Sequence, residues 1–249
     1  MSLITVILSG CVLGAAAVVQ GSVGFGYALL ATPLLVWLGI PLQQVIVMVA
    51  VGSLIQSFFG VRCLYASIPW RQAWIATGLR VVWLLAGLLI LKKLITLDSR
   101  YIRFTVGAII CLLVGIQAVW KPKPVDKIHW GYTATAFSAS GLLAGMVGMG
   151  GPPLVLWVMA HDWPPEKIRG FYFATFLTFI PIMIGMMFVL PGFGPLWMSV
   201  LTGLAFAPVI YCGGRIGLAL GHRMSRKRLY CLTCVCLLAT GISAMVSSL

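Results

Sequence analysis

The stretch Gly21–Tyr27 reads GSVGFGY, and about half the chain later a second glycine string, GMVGMGG, occupies Gly145–Gly151. Glycine raises the free energy of a helix by about 1 kcal/mol relative to alanine and lets the backbone turn, so each string predicts a break in a helix. Within a bilayer, non-helical backbone persists only where protein buries it or where it lines a cavity. Paired breaks in two halves of one chain therefore predict a binding site between the halves.

The composition is that of a membrane protein. Hydrophobic residues make up 61% of the 249 residues, charged residues only 8%, and the mean hydropathy is +1.08, whereas soluble domains carry about 25% charged residues. The net charge of +13 is concentrated in short loops between apolar segments, where basic residues fix the orientation in a membrane. This placement argues against a nucleic-acid partner and for the lipid bilayer as the surrounding partner.

Ten apolar segments are predicted, five in each half of the chain. A spanning helix needs about 20 residues, so the segment after each glycine string is too short to cross. The sequence thus predicts an all-α polytopic membrane protein with about four spanning helices and one short half-helix in each half. The segments are 3–20, 27–38, 42–61, 73–91 and 102–120 in the first half, and 129–144, 152–160, 168–190, 196–220 and 229–246 in the second.

The two halves are related in sequence, which is typical of secondary transporters. We predict a first repeat at 1–120, a polar proline-rich linker at 121–127 and a second repeat at 128–249. If each break reverses the chain, each half has five segments and the repeats are inverted; if the chain continues, the repeats are parallel, and both cases place the termini outside. The matched residues are Gly21, Val23, Gly24, Gly26 and Pro41 with Gly145, Val147, Gly148, Gly150 and Pro165, and Thr77–Leu79 with Thr202–Leu204.

The doubled glycine strings, the Thr32-Pro33 and Pro152-Pro153 pairs that follow them, and the segment pattern resemble the TauE/SafE sulfite exporter family over essentially the whole chain. The resemblance implies a bacterial inner-membrane carrier of small sulfur-containing anions, such as sulfite or an organosulfonate like sulfoacetate. The first string departs from the more glycine-rich form of the family at Phe25 and Tyr27. Aromatic rings at these positions would favour an organic group over a bare oxyanion.

Arg80 is the leading candidate for a substrate-binding side chain. It lies near the middle of the segment 73–91, where a charge costs several kcal/mol unless it faces a cavity or a partner. The functional interpretation is a counter-charge whose guanidinium fork fits sulfonate or carboxylate oxygens. A snorkelling or carbonyl-bonded arginine is the alternative. The acidic residues lie in loops or at segment ends, and they are Asp98, Asp126, Asp162 and Glu166.

Backbone amides are a second expected source of anion contacts. A helix that starts after a break presents unpaired N–H groups and a positive dipole end, although small residues also allow close helix packing. Side-chain amides and aromatic rings nearby are predicted to add hydrogen bonds and apolar walls, or else to stabilise helix contacts. The predicted substrate-binding residues besides Arg80 are Gln20, Gly21, Gly24, Gly26, Tyr27, Gln56, Gly145, Gly148, Gly150, Gly151 and Trp157.

The sequence offers no grouping typical of an enzyme, and we expect no catalytic residue, cofactor or metal. The C-x-x-C spacing at Cys231 and Cys234 is interpreted as core packing, His161 as part of a polar turn, and Arg62 and Arg169 as interfacial anchors. With no carboxylate expected in the membrane, the potential could drive anion export. An importer of another small organic anion and a non-transporting scaffold are the alternative functions, and the sequence leaves open whether the chain forms a homodimer.

Overall fold

The computed structural model describes residues 3–97 and 128–223, together with residues 101, 108, 109, 112 and 115. The predicted linker at 121–127, the segment at 229–246 and most of the segment at 102–120 lie outside these residues. Nine α-helices and no strand occur in the described ranges. They are α1 Leu3–Val23, α2 Tyr27–Trp37, α3 Leu42–Leu64, α4 Trp70–Leu94, α5 Trp130–Val147, α6 Gly151–Met159, α7 Pro165–Val189, α8 Trp197–Ala205 and α9 Ala207–Arg223.

The helices confirm an all-α polytopic membrane protein. In the described part of the chain, α1, α3, α4 and α7 are each long and apolar enough to cross a membrane, and α8 with α9 forms a fifth candidate span. The predicted segment at 196–220 is bent within its length, since α8 and α9 meet at an angle of 54°. Pro208 in the first turn of α9 has no N–H to donate to a carbonyl of α8. Its ring would also clash with the preceding turn if the helix were continuous.

Both glycine strings break helices, as the sequence predicts. Gly24 and Gly26 have φ of 92° and 99° between α1 and α2, and Gly148 has φ of 74° between α5 and α6. A left-handed backbone costs other L-residues about 1–2 kcal/mol, so glycine is what allows the chain to turn here. Each turn leaves a long helix on one side and a short one on the other.

Helix α2 runs back along α3 instead of continuing the path of α1. Tyr27 at the start of α2 lies against Gly52 in the middle of α3, and α2 ends at Trp37, immediately before α3 begins. Helices α1, α3 and α9 run in one common direction. The contacts that fix it are Gly14 with Gly213 and Gly21 with Gly217 for α1 and α9, and Val51 with Gly203 and Gln56 with Ile210 for α3 and the α8–α9 pair.

Helices α4, α5 and α7 run in the opposite direction. Helix α4 follows α3 through the short 3₁₀ turn at Tyr65–Ser67 and returns beside it. Helices α1 and α5, each of which leads into a glycine break, are therefore antiparallel. The contacts that fix these directions are Gly60 with Phe173 and Ile68 with Gly170 for α3 and α7, and Arg80 with Gly141 and Gly87 with Gly145 for α4 and α5.

Helix α3 lies at the centre of the bundle. Of the 18 consecutive residues that are most apolar in each helix, 72% are buried in α3, compared with 39% in α1 and α4 and 44% in α7. The outer helices expose large apolar side chains, including Val82, Trp83 and Val189. Such surfaces are expected where lipid is the solvent, so the polar groups beside α3 are shielded from both lipid and water.

Candidate functional site

The two glycine breaks meet at a small central cavity of about 50 Å³. Gly151 at the start of α6 faces the first break, since a Cβ atom there would lie 3.8 Å from Phe25 and 3.9 Å from Leu29. Residues of α3, α4 and α7 complete the wall. A water molecule occupies roughly 30 Å³ in the liquid, so the cavity has room for only a water or two.

Most of the predicted binding residues reach this cavity. One group comes from the first break and the end of α1, one from the second break, and Arg80 comes from α4. The predicted residues that line the cavity are Gln20, Gly26, Tyr27, Arg80, Gly148, Gly150 and Gly151.

Among the described residues that form the cavity wall, the guanidinium of Arg80 is the only charged group. The side chain is 1% exposed and therefore does not snorkel to the surface. Its Cζ atom lies 3.7 Å from the ring centre of Phe179 and 5.8 Å from that of Phe176, while a Cβ atom at Gly150 would lie 3.0 Å from Nη2. Within the described part of the chain, Nε and Nη1 have no hydrogen-bond partner.

Two further polar atoms at the cavity lack partners among the described residues, namely Gln20 Oε1 and Tyr27 Oη. The amide nitrogen of Gln20 is engaged, because it donates to Ser53 Oγ at 3.1 Å. Ser140 Oγ holds the second break by donating to the Gly150 carbonyl at 2.5 Å. A buried polar group without a partner costs about 1–3 kcal/mol, so this cluster of donors and acceptors indicates a polar ligand or water.

The two helix N-termini at the cavity differ in what they offer an anion. Neither α2 nor α6 has a side-chain cap. Helix α6 begins Gly151-Pro152-Pro153, and because proline has no N–H, two of its first three residues contribute no amide donor. Helix α2 begins with Tyr27 and contains no proline in its first turn. The first break therefore supplies more backbone donors than the second, although the second has more glycines.

The other predicted binding residues lie outside the cavity. Gly24 packs on the Arg169 backbone and Gly145 on α4, where a Cβ would lie 2.5 Å from the Leu84 carbonyl. Trp157 donates from Nε1 to Thr133 Oγ1 at 2.9 Å within an aromatic cluster. These three positions contribute helix packing in the structure.

Gly21 and Gln56 line a second and larger space, which we call the crevice. It has a volume of about 680 Å³ and lies between α3, α7 and α9. It extends from Gln56, in the middle of α3, to Ser67 at the end of the 3₁₀ turn and Glu166 at the start of α7. Gln56 Nε2 donates to the Ile210 carbonyl at 3.4 Å, and Gln56 Oε1 has no partner among the described residues.

Sequence reasoning missed Arg169, and its interpretation as an interfacial anchor was wrong. The side chain is 4% exposed, and Nε and Nη1 have no partner within the described residues. Its position at the start of an apolar segment suggested contact with water or headgroups, and nothing local in the sequence shows that α1 and α9 cover it. Arg62 is exposed and lies over the Phe58 ring at 5.7 Å, as expected for an anchor.

His161 forms part of the turn between α6 and α7, as predicted. Its Nδ1 lies 3.1 Å from the Trp157 carbonyl, and its ring packs between Trp157 and Trp163. Burial lowers the pKa of His161 below its usual value, and nearby Lys167 lowers it further. The ring is therefore neutral at pH 7. Cys231 and Cys234 lie outside the described residues.

Comparisons with known proteins agree on one class of membrane protein. A family described as "Sulfite exporter TauE/SafE" matches residues 8–244. The chain is similar to a curated protein from Cupriavidus necator described as "Probable sulfite/organosulfonate exporter TauE", with 28% identity over 159 residues. The alignment covers 63% of this chain and spans 62% of the length of that relative. No solved structure matches the chain.

Proposed function

The chain belongs to the sulfite exporter TauE/SafE family, and from this premise we propose that it is a secondary transporter that exports a small sulfur-containing anion across the bacterial inner membrane. The cargo class is sulfite or an organosulfonate such as sulfoacetate, which agrees with the description of the Cupriavidus necator relative. The protein acts as a carrier without catalytic groups. Its binding site is the central cavity between the two glycine breaks, which must widen from its volume of about 50 Å³ when the cargo enters.

The observation that carries the proposal is the buried guanidinium of Arg80 with unpaired donors. A charge held at 1% exposure, without a partner at Nε or Nη1 in the described residues, is costly. An anionic ligand offsets this cost by accepting hydrogen bonds from the fork, and the planar guanidinium suits two oxygens of one sulfonate. The Phe179 ring, which also lines the cavity, packs against the guanidinium.

The walls of the cavity favour a cargo with a carbon chain. Gln20, Tyr27 and Arg80 place polar groups in one part of the wall, while Ile180 and Met183 of α7 place apolar side chains in another. A sulfonate with a short organic group matches both surfaces, whereas bare sulfite uses only the polar one. We therefore place organosulfonates ahead of sulfite as cargo.

Transport by alternating access follows from two inverted repeats, at 1–120 and 128–249, on either side of the linker 121–127. Helices α1 and α5 are antiparallel, and each is held by a glycine contact of the same kind. Gly87 of α4 faces the carbonyl, Cα and amide of three residues around Gly145, and Gly217 of α9 faces the equivalent atoms around Gly21. A helix of each repeat thus packs against a helix of the other, and the proposed site lies at the boundary between the repeats.

Membrane orientation can be proposed from the basic residues at the two ends of the bundle. Among the described residues, the end that holds the mouth of the crevice includes Arg62, Arg71 and Lys167, and the opposite end includes Lys92 and Lys93. The excess of basic residues marks the cytoplasmic side. The crevice then opens toward the cytoplasm, which is the side from which an exported anion enters.

The membrane potential supplies a driving force for export. An anion that leaves a cell with a negative interior gains about 2.3 kcal/mol per charge for each 100 mV. Proton-driven carriers place a carboxylate within the membrane, and Glu166, the one carboxylate among the described residues that line the crevice, is exposed. Export of the anion without a coupled ion is therefore proposed.

The test is anion flux from vesicles that contain the purified protein. Vesicles loaded with sulfoacetate or sulfite should release the anion faster when the interior is made negative. Arg80→Gln should lower the rate at least about tenfold, because a buried charge–ligand contact is worth a few kcal/mol. Arg71→Gln is the matched control, since Arg71 is exposed and lies outside the cavity.

Two results would contradict the proposal. Wild-type rates from Arg80→Gln at equal protein content would remove the binding role of Arg80 and, with it, the site. A flux that does not change with the imposed potential would refute export driven by the potential. Arg80→Ala should abolish flux in a transporter and would change only stability in a scaffold.

A further inference from the structure

We propose that Arg169, which is buried beside the crevice residues Glu166 and Phe173 on α7, forms a second oxyanion-binding site that receives the transported anion before the anion reaches Arg80. The assignment rests on the proposed transport function. It adds a residue and a position that the central cavity does not include. The chemical class of ligand is a sulfonate or sulfite oxyanion.

Arg169 lies beside the crevice and next to the first glycine break. It shares one face of α7 with Glu166 and Phe173, both of which line the crevice. On its other side, a Cβ atom at Gly24 would lie 3.0 Å from the Arg169 Cα, and a Cβ at Gly221 would lie 2.7 Å from Nη1. The guanidinium is thus enclosed between α7, the end of α1 and the end of α9.

The enclosure leaves the charge of Arg169 without a matching acceptor. The side chain is 4% exposed, and neither Nε nor Nη1 has a hydrogen-bond partner in the described residues. Glu166, one turn earlier on α7, is close enough for electrostatic attraction, but its own side chain is exposed. A buried arginine in this condition needs an anionic acceptor, and the crevice is the nearest space from which one can arrive.

The charge distribution in the crevice favours the approach of anions. In the part of the chain that the structure describes, its walls carry Arg62 and Arg215 and a single carboxylate, Glu166. Cationic walls around a narrow space raise the local concentration of anions and speed their association. Arg62 and Arg215 are exposed, so they attract the anion from solution, whereas Arg169 is placed to bind it.

A thin polar layer separates the crevice from the central cavity. Gly21 and Gln56 line the crevice, whereas Gln20 and Ser53 line the cavity. Gln20 is the chain neighbour of Gly21, and Ser53 lies one turn before Gln56 on α3. The crevice and the cavity are therefore separated by the side chains of Gln20 and Gln56, each of which has an unpaired amide oxygen among the described residues.

The test compares Arg169→Gln, Arg169→Lys and Glu166→Gln in the sulfoacetate flux assay. Arg169→Gln should raise the KM for sulfoacetate about tenfold with a maximal rate close to wild type, because capture is lost and the central site is retained. Arg169→Lys should give an intermediate KM, since it keeps the charge and loses the fork. Glu166→Gln should lower the KM, because it removes the carboxylate that competes for Arg169.

A lipid phosphate offers the same oxygens as a sulfonate, so each variant is measured in vesicles of phosphatidylcholine alone and in vesicles that also contain phosphatidylglycerol. The proposal requires the KM increase in both, and a defect confined to the anionic vesicles would assign Arg169 to a lipid headgroup and overturn it. If vesicles that contain the wild-type protein released none of the tested anions, that result would instead overturn the proposed function.

Two results would overturn the Arg169 site alone. One is a wild-type KM for Arg169→Gln, in an assay where the wild-type protein transports the anion and Arg80→Gln does not. The other is a purely structural role, in which Arg169→Gln lowers the unfolding temperature and the maximal rate while Glu166→Gln leaves the KM unchanged. Because Glu166 is exposed, Glu166→Gln gives a readout even if Arg169→Gln does not fold.

Discussion

Two arginines are buried without partners at Nε and Nη1 among the described residues, and the sequence identified only one of them. Arg80 is conspicuous in the sequence because it lies in the middle of an apolar segment, where a charged side chain is costly unless it faces a cavity or a partner. Arg169 stands near the start of a segment, where basic residues normally contact water. Only the packing of α1 and α9 over α7 makes Arg169 a buried charge.

Gly150 is required by the space that Arg80 occupies. A Cβ atom at this position would lie 2.5 Å from the Ser140 carbonyl and 3.0 Å from Arg80 Nη2. We expect Gly150→Ala to move the guanidinium and to weaken sulfoacetate binding at least about tenfold, measured as the ligand-induced rise in unfolding temperature. Gly185→Ala is the control, because no atom lies within 4 Å of its Cβ position. Unchanged binding by Gly150→Ala would show that the guanidinium is not held against the second break.

The helices show which functions of glycine are local and which depend on a neighbour. Gly24, Gly26 and Gly148 are needed for their own positive φ, and this can be inferred from the strings themselves. Gly21 and Gly145 belong to the same strings but serve helix contacts, where α9 and α4 approach them. Their role depends on what lies opposite, so the sequence could not separate them from binding residues.

The contact between α4 and α5 depends on Gly87. A Cβ atom there would overlap the Leu142 carbonyl and lie 2.9 Å from the Gly145 Cα. We expect Gly87→Ala to push the helices apart and to lower the unfolding temperature by several degrees, since close contact between backbones is a main source of helix association in membranes.

Gly78→Ala is the matched control on the same helix. No atom lies within 4 Å of the Cβ position at Gly78, and alanine is the better helix former, so its unfolding temperature should stay the same or rise slightly. Equal unfolding temperatures for the two variants would contradict the assigned contact.

The directions of the helices determine which loops share a side of the membrane. Ile68 after α3 lies against Gly170 near the start of α7, so the loops before α4 and before α7 are together. The loop after α7 lies at the other end, where Gly192 meets Lys92. Inverted repeats would give these directions for the described helices, and the inversion stays a prediction.

Single cysteines can test the sidedness in intact cells. In a cysteine-free variant, Ala66→Cys and Asp162→Cys should react with an impermeant maleimide from the same side, and Thr96→Cys from the opposite side, since all three positions are exposed. Parallel repeats would place Ala66 and Asp162 on opposite sides. Labelling of those two cysteines from different sides would therefore contradict the inversion.

The sequence by itself determined the membrane class, the positions of most helices and the two breaks, because apolar length and the backbone freedom of glycine are properties of short stretches. It also selected seven of the residues that line the cavity, among them Arg80 and Gly150. The tertiary structure alone decided the reversal at each break, the bend before Pro208, the crevice and the burial of Arg169. Each of these depends on which distant helix occupies the adjacent space, and no periodicity within one segment carries that information.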